Sequence, residues 1–438
     1  MIRYSEYASS PAQPFQVPKE IVDHVSAIVE RVRRLGDAAV LEYTERFDRI
    51  KLDPDRIRVE WGELRRAYNS IPDGLRGALR SSAERIRSFQ ELQKPLEFAT
   101  TIVPGVSAGI KFDPIQSVGL YVPGGSAAYP STVLMTAIPA KVAGVDRCAM
   151  FTPPGRDGEV PEAILAAAYL AEVDEVYRVG GAQAIAAMAY GTERIRKVEK
   201  IFGPGNIYVT VAKMLVSWDV AVDMPAGPSE LLIYTEGFDK PEWLAYDILA
   251  QCEHDPRAKA VLVTTDTGLA EEVAKAVERM VAVSPRREIL EKSAAQAFAL
   301  VVGSREEGAR AINEIAPEHL ELVGDGAEEA FRMVRNAGAV FIGEYTPVPL
   351  GDYTAGTNHV LPTMGWAKRA SPLSVRDFLR SREYLRCTRD GIMRIGGDAV
   401  MVATAEGLGA ALGPVLGGWL WDLHHTWVFY GSASLLAV

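Results

Sequence analysis

The 438-residue sequence predicts an α/β protein built on parallel sheets behind a helical opening region. Three observations carry this. Apolar residues recur at helical spacing from residue 17 to about 90, as in "IVDHVSAIVERVRRLGDAAVLEYTERFD". Beyond them, short β-branched or aromatic runs (SVGLYV, CAMFTP, EVYRVG, KIFGPG, LLIYT, AVLVTT, ALVVG, AVFIG) alternate with helical stretches. Glycine and proline gather where those runs end, which is where α/β folds place their ligands.

The length is enough for two or more domains, and a 48% hydrophobic, 24% charged composition is that of an ordinary globular protein. A net charge of −10 argues against a nucleic acid or an anionic membrane as the main partner and favours a small molecule. Three scattered cysteines (Cys148, Cys252, Cys387) make neither a disulfide framework nor a four-cysteine zinc site, and a reducing cytoplasm is the simplest home. The opening "MIRYSEYASS" has no basic stretch followed by an apolar run, so it does not read as a secretory signal.

Three segments end a predicted strand and open a helix: "GLYVPGGSAAYPS" (119–131), "VGGAQAIAA" (179–187) and "FGPGNIYV" (202–209). Their glycines let the backbone approach a bound group, and free N–H groups at a helix start favour phosphate. None is a GxGxxG fingerprint, and each alone is more often a plain tight turn. Three in one stretch strengthen the case for a dinucleotide.

Polar residues cluster in three further places. In "LAQCEHDP", Gln251 and His254 are three apart, so on a helix they share a face and could hold one metal ion. The blander alternative is a helix C-terminus at which His254 caps carbonyls. In "IAPEHLEL", Glu318 and His319 at a loop end can both face a cleft as an acid/base pair. The segment "VPLGDYTAGTNHVLPT" (348–363) joins Asp352 and His359 to glycines, prolines and threonines, too polar a mixture for core. A set of structural loops is the alternative there. His24, in the amphipathic opening, reads as a surface residue.

At this point the chain resembles the histidinol dehydrogenase family. The matching segments are "VGLYVPGGSAAYPSTVLMTAIPAKVAGV", "GGAQAIAAMAYGT", "KIFGPGNIYV", "DMPAGPSELLI", "AQCEHDP", "IAPEHLEL" and "AGAVFIG" with "PLGDYTAGTNHVLPT", in the family's order from roughly residue 20 to Leu408. The resemblance implies two related Rossmann-like α/β domains similar to the aldehyde dehydrogenase scaffold, plus a helical N-terminal region and a small C-terminal segment that reaches into a partner subunit of a homodimer. The expected division is 1–120 (helical region and first part of domain 1), 121–228 (domain 2, with the NAD loops), 229–370 (remainder of domain 1) and 371–438 (dimerisation segment).

The implied activity is the oxidation of L-histidinol through histidinal to L-histidine, with two NAD molecules and one zinc. By motif position the resemblance implies that Tyr121, Gln183 and Asn206 contact NAD. Gln251, His254 and Asp352 would be zinc ligands, and Glu318 and His319 the acid/base pair. Ser229, His359 and Glu406 would touch substrate, together with Gln251, His254, His319 and Asp352. His319 would help remove the alcohol proton and Glu318 would activate the water that attacks the aldehyde stage. The residue types agree with this chemistry, since each oxidation needs a base near the carbinol and the second needs a hydrated aldehyde. Glutamine is an uncommon zinc ligand. The same scaffold acting on another small diol or amino alcohol, and a zinc-deficient inactive remnant, are the alternatives.

The resemblance departs after Leu408. The family's A-E-G-L-x-A-H-A pattern supplies a glutamate toward substrate and a histidine as a fourth zinc ligand; here Glu406 is present but Ala411 stands at the histidine position. From residue 407 to 438 the only formal charge is Asp422, and this run resembles part of a major facilitator transporter. Its uncharged stretch, 407–421, is shorter than the roughly 20 residues of a bilayer span, so an anchor is not expected. His424 or His425 is the alternative source of the missing ligand.

Overall fold

The computed structural model describes residues 2–3, 6–7, 17–124, 128–224 and 227–405. Along the chain its strands are β1 (Ile2–Arg3), β2 (Phe98–Val103), β3 (Val106–Pro114), β4 (Ser117–Tyr121), β5 (Arg147–Phe151), β6 (Glu175–Tyr177) and β7 (Lys200–Phe202). They continue with β8 (Ala221–Val222), β9 (Glu230–Glu236), β10 (Lys259–Thr264), β11 (Phe298–Val301), β12 (His319–Gly324), β13 (Ala339–Ile342) and β14 (Leu379–Cys387). The described residues fall into two compact units, one within 1–94 and 114–379, the other within 95–113 and 380–405.

The first unit holds two parallel sheets. One is ordered β6-β5-β4-β7-β8, the other β1-β11-β10-β9-β12-β13. Apart from the two-residue edge strand β1, each sheet has its first strand in sequence (β4 or β9) in the middle, the next two added on one side and the following two on the other. That is the doubly wound order with a switch point between the first and fourth strands, here β4/β7 and β9/β12. The expected α/β class with two related Rossmann-like sheets is therefore present.

Strand alternation explains why each sheet is covered on both faces. In β4 and β5, Val118, Leu120, Cys148 and Met150 face a core shared with the helices Pro130–Ala143 and Glu162–Leu170. Tyr121, Ala149 and Phe151 face the opposite core, closed by Lys19–Leu35, Gly181–Tyr190 and Ile207–Val216. The second sheet repeats the pattern. Leu231, Ile233 and Leu262 pack toward Pro241–Cys252 and Thr267–Val283, while Leu232, Tyr234 and Leu320 pack toward Arg305–Ile315.

The opening region is helical as its periodicity predicts, through Lys19–Leu35, Asp37–Asp48, Trp61–Ser70 and Asp73–Leu92, and His24 is exposed. In the second unit β2, β3 and β14 form a three-stranded sheet, followed by the helix Arg389–Ala405. No helix among the described residues is long and apolar enough to cross a membrane.

The edge of the first sheet carries a charge knot with a measurable consequence. Glu175 is almost fully buried, yet its carboxylate accepts from Arg147 Nε at 3.1 Å, Arg196 at 2.6 Å and the Tyr177 hydroxyl at 2.9 Å. Burial alone would raise its pKa; the two guanidinium groups and the phenol outweigh it and hold the carboxyl at about 2, against an ordinary 4.5. A depressed folded-state pKa contributes stability that is fully present above about pH 4.5 and is lost as pH falls toward 2. Because Arg196 is largely exposed, the net contribution is discounted to about 1–2 kcal/mol. Glu175→Gln is expected to lower the melting temperature at pH 7 and to flatten the loss of stability between pH 4.5 and 2, read by thermal unfolding across that range.

Candidate active site

The polar clusters converge on a cavity of about 160 Å³. Ser229, Gln251, His254, Glu318, His319, Asp352 and His359 all line it. A second cavity of about 550 Å³ shares Tyr129, Ser131, His254 and Tyr353 with it, so that together they offer the space of a small-molecule site.

The two sheets contribute to this cavity from opposite ends. From the first sheet come segments that follow the carboxyl ends of strands: Pro123 after β4, Gly203 and Pro204 after β7, and Asp223 and Met224 after β8. From the second come residues at the amino ends: Ser229 just before β9, Glu318 just before β12, and His319 as the first residue of β12. Placing ligands at carboxyl strand ends therefore holds for the first sheet only. In the second sheet the chemistry-bearing side chains sit at the other end, delivered by the turns that lead into the strands.

Glu230, the first residue of β9, organises the acid/base pair through its backbone. Its N–H donates to Glu318 Oε2 at 2.9 Å, and its carbonyl lies 3.2 Å from His319 Nδ1. A carbonyl can only accept, so Nδ1 carries the hydrogen and Nε2 is the nitrogen turned to Asp352 Oδ1, 3.3 Å away. Burial pushes the Glu318 carboxyl up to about 7. For His319 burial opposes charge, but the carboxylates of Glu318 and Asp352 outweigh it and push the imidazole up to about 9.

Asp352 lies near the end of the short helix Val348–Tyr353, which is begun by Pro349 in its first turn. The segment 348–363 is thus a helical turn and an irregular run, not only loops. The Asp352 carbonyl meets His359 Nδ1 at 2.9 Å and Thr132 Oγ1 lies 3.3 Å from His359 Nε2. Gln251 occupies the last turn of the helix Pro241–Cys252, and the backbone N–H of His254 meets the Gln251 carbonyl at 3.3 Å. The helix ends there, and both Gln251 and His254 line the cavity. Burial lowers the pKa of His254 and of His359, so both imidazoles are held neutral. Glu406 lies outside the described residues, as do Ala411, His424 and His425.

The three glycine-bearing segments do open helices at Pro130, Gly181 and Ile207. Tyr121 ends β4 and its hydroxyl accepts from the Gly181 N–H at 3.0 Å. Gln183 lies in the first turn of Gly181–Tyr190, buried, with Oε1 unpartnered. Asn206 caps Ile207–Val216, accepting from the N–H groups of Tyr208 and Val209. These three residues follow β4, β6 and β7 at the same end of one sheet, while lining neither cavity described above. Sequence reasoning missed Glu230. Its part is played by backbone groups, which leave no side-chain signal.

Two doubly wound sheets meeting at a buried carboxylate–imidazole pair, with an amide, two further imidazoles and a second carboxylate around it, define an α/β enzyme with an acid/base site. The comparisons make this specific. The histidinol dehydrogenase family model matches residues 12–413. Histidinol dehydrogenase of a Synechococcus species is 48% identical over 385 residues, covering 88% of this chain and 89% of that protein. The Methanothermobacter thermautotrophicus enzyme of the same name is 46% identical over 392 residues, covering 89% and 92%. The crystal structure of histidinol dehydrogenase from Elizabethkingia anophelis matches with a TM-score of 0.89 at 36% identity over 96% of both chains. The chain belongs to the histidinol dehydrogenase family of oxidoreductases.

Proposed function

We propose that this protein catalyses the NAD-dependent, zinc-assisted oxidation of L-histidinol through histidinal to L-histidine, the last step of histidine biosynthesis, in the cytoplasm. The observation that carries the reading is the buried Glu318–His319 pair, anchored on Glu230 and opening onto the same cavity as Gln251, His254 and Asp352.

The residues suit both groups the reaction needs. Gln251 Nε2 is buried without a hydrogen-bond partner, and turning the amide over offers its oxygen instead, which is the donor a metal takes. Gln251, His254 and Asp352 would hold zinc. Among the described residues no three His, Cys, Asp or Glu side chains gather as a metal cage, which is consistent with a set that includes an amide. Gln183 Oε1, also buried and unpartnered, suits a hydrogen-bonding cofactor, and with Tyr121 and Asn206 it would meet NAD at the carboxyl ends of β4, β6 and β7. When bound, NAD would supply the hydride acceptor of each oxidation, and zinc, held by Gln251, His254 and Asp352, would supply a Lewis acid to anchor the substrate.

The chain's own residues handle the protons. In its free-base form, His319 Nε2 takes the alcohol proton while Nδ1–H stays on the Glu230 carbonyl, which orients the ring. Glu318, raised to about 7, takes a proton from the water that hydrates the aldehyde, and Oε2 remains fixed by the Glu230 N–H. Ser229 and His359 line the cavity and would be substrate contacts; Glu406, by its motif position, would be a further one. We also propose a homodimer, supported by the apolar Phe98, Ile102 and Leu385 exposed on the three-stranded sheet.

The test is NAD reduction by the purified full-length chain with histidinol, with other small diols and with no substrate. Two NADH per histidine formed is the expected result; reduction with other diols and not with histidinol overturns the substrate. Removing zinc with a chelator should lower turnover by at least about 100-fold, since a catalytic metal supplies several kcal/mol. Readdition should restore it, followed by elemental zinc analysis on the same samples.

A further inference from the structure

The cavity that Glu318 and His319 line also includes Gly203, Pro204, Asp223 and Met224 in its wall, and Asp223 belongs to an ion pair that none of the proposed chemistry uses. Lys213, on the helix Ile207–Val216, is 3% exposed and pairs with the equally buried Asp223. The same ammonium donates to the carbonyls of Gly203 at 3.0 Å and Met224 at 3.4 Å. The other oxygen of Asp223 accepts from the Gly203 N–H at 2.7 Å. Both backbone groups of one glycine are thus tied to the two ends of one buried ion pair.

That glycine is under unusual constraint. Its φ is +117°, in the region L side chains rarely adopt, and a Cβ there would lie 2.1 Å from the Tyr121 carbonyl. The turn after β7 is therefore pressed onto the end of β4 at the switch point of the sheet. Fold stability alone does not call for a charged pair, because a buried ion pair can often be replaced by apolar residues of similar volume with no loss. What apolar residues cannot do is hold both the N–H and the C=O of Gly203.

We propose that Lys213 and Asp223 are positioning residues that clamp the 203–206 loop, setting the Gly203–Pro204 wall of the cavity and the Asn206 cap in the geometry that receives NAD. This rests on the NAD-dependent oxidation proposed above. The clamp accounts for a costly buried charge pair placed beside, and not within, the acid/base machinery. It also explains why the sequence "FGPGN" is followed seven residues after Asn206 by a lysine on a helix whose other inward residues, Val209, Val211 and Ala212, are apolar.

The experiment compares the full-length protein with Lys213→Met/Asp223→Leu, using NAD titration, steady-state kinetics and backbone hydrogen exchange without ligand. The double variant is expected to fold and to bind NAD on the order of 10–100-fold more weakly, with a matching rise in the KM for NAD. The amides of Gly203, Gly205 and Asn206 should exchange faster while those of β4 and β5 do not. A folded variant with unchanged NAD affinity and unchanged exchange at 203–206 overturns the clamp. If the unsubstituted protein binds no NAD, the cofactor assignment falls, and the exchange comparison alone decides the clamp. Should the double variant not fold, Asp223→Asn carries the same test, since it keeps an acceptor for the Gly203 N–H but removes the charge. It should shift both readouts less and in the same direction, and no shift in either overturns the clamp.

Discussion

His319→Asn is expected to lower turnover with histidinol by about 10²–10⁴-fold, the range over which a positioned proton acceptor contributes. The asparagine amide can still donate to the Glu230 carbonyl, so the start of β12 keeps its anchor. It cannot take a proton at neutral pH, which is the role assigned to Nε2. The substitution also removes the group 3.3 Å from Asp352, so zinc content is to be measured on the same protein to separate lost proton transfer from lost metal. A full zinc complement with turnover lowered in this range places the loss in the base. Unchanged turnover would remove His319 from the mechanism.

The legibility of this protein divides by the kind of signal. Eight strand runs read from β-branched and aromatic composition all appear as strands, because sheets covered on both faces must be apolar along their whole length. The strand β12 was not among them. "EHLELVG" begins with two ionisable residues and carries a third, Glu321, so its composition argues against a buried strand, yet Glu321 is buried with Oε1 accepting from the Val348 N–H. Function overrides propensity there. The three-stranded sheet of β2, β3 and β14 was also illegible: β2 and β14 are exposed along most of their length and β3 is mostly half-buried, so none presents a buried apolar run.

At the site, the three motif clusters were visible as residues but not as one place. Gln251, Glu318 and Asp352 are brought to one cavity by the order of β9, β10, β12 and β13 in the sheet, which side-chain spacing does not encode. Glu230 shows the same limit. Its backbone fixes both members of the acid/base pair, and any residue but proline supplies the same N–H and carbonyl. The Lys213–Asp223 pair lay ten residues apart in sequence and gave no spacing signal, because it closes around a turn and not along a helix face.

Glu318→Gln is expected to divide the two half-reactions. The glutamine oxygen can accept the Glu230 N–H as the carboxylate does, so the local fold should persist. A neutral amide cannot take a proton from water, so the oxidation of histidinal should fall by about 10²–10⁴-fold. The alcohol step, whose proton goes to His319, should fall by less than about 10-fold, a limit that allows for the lost carboxylate charge beside the imidazole. That charge helps raise the His319 pKa, so its removal should also lower the pH at which the ring becomes a free base. The alcohol step in the variant is then expected to reach its plateau at lower pH than in the unsubstituted protein. The measurement is NADH formation from histidinol and from histidinal separately, each across pH 6 to 10. Equal losses in the two half-reactions would assign Glu318 to a step they share, such as holding substrate, and not to water activation.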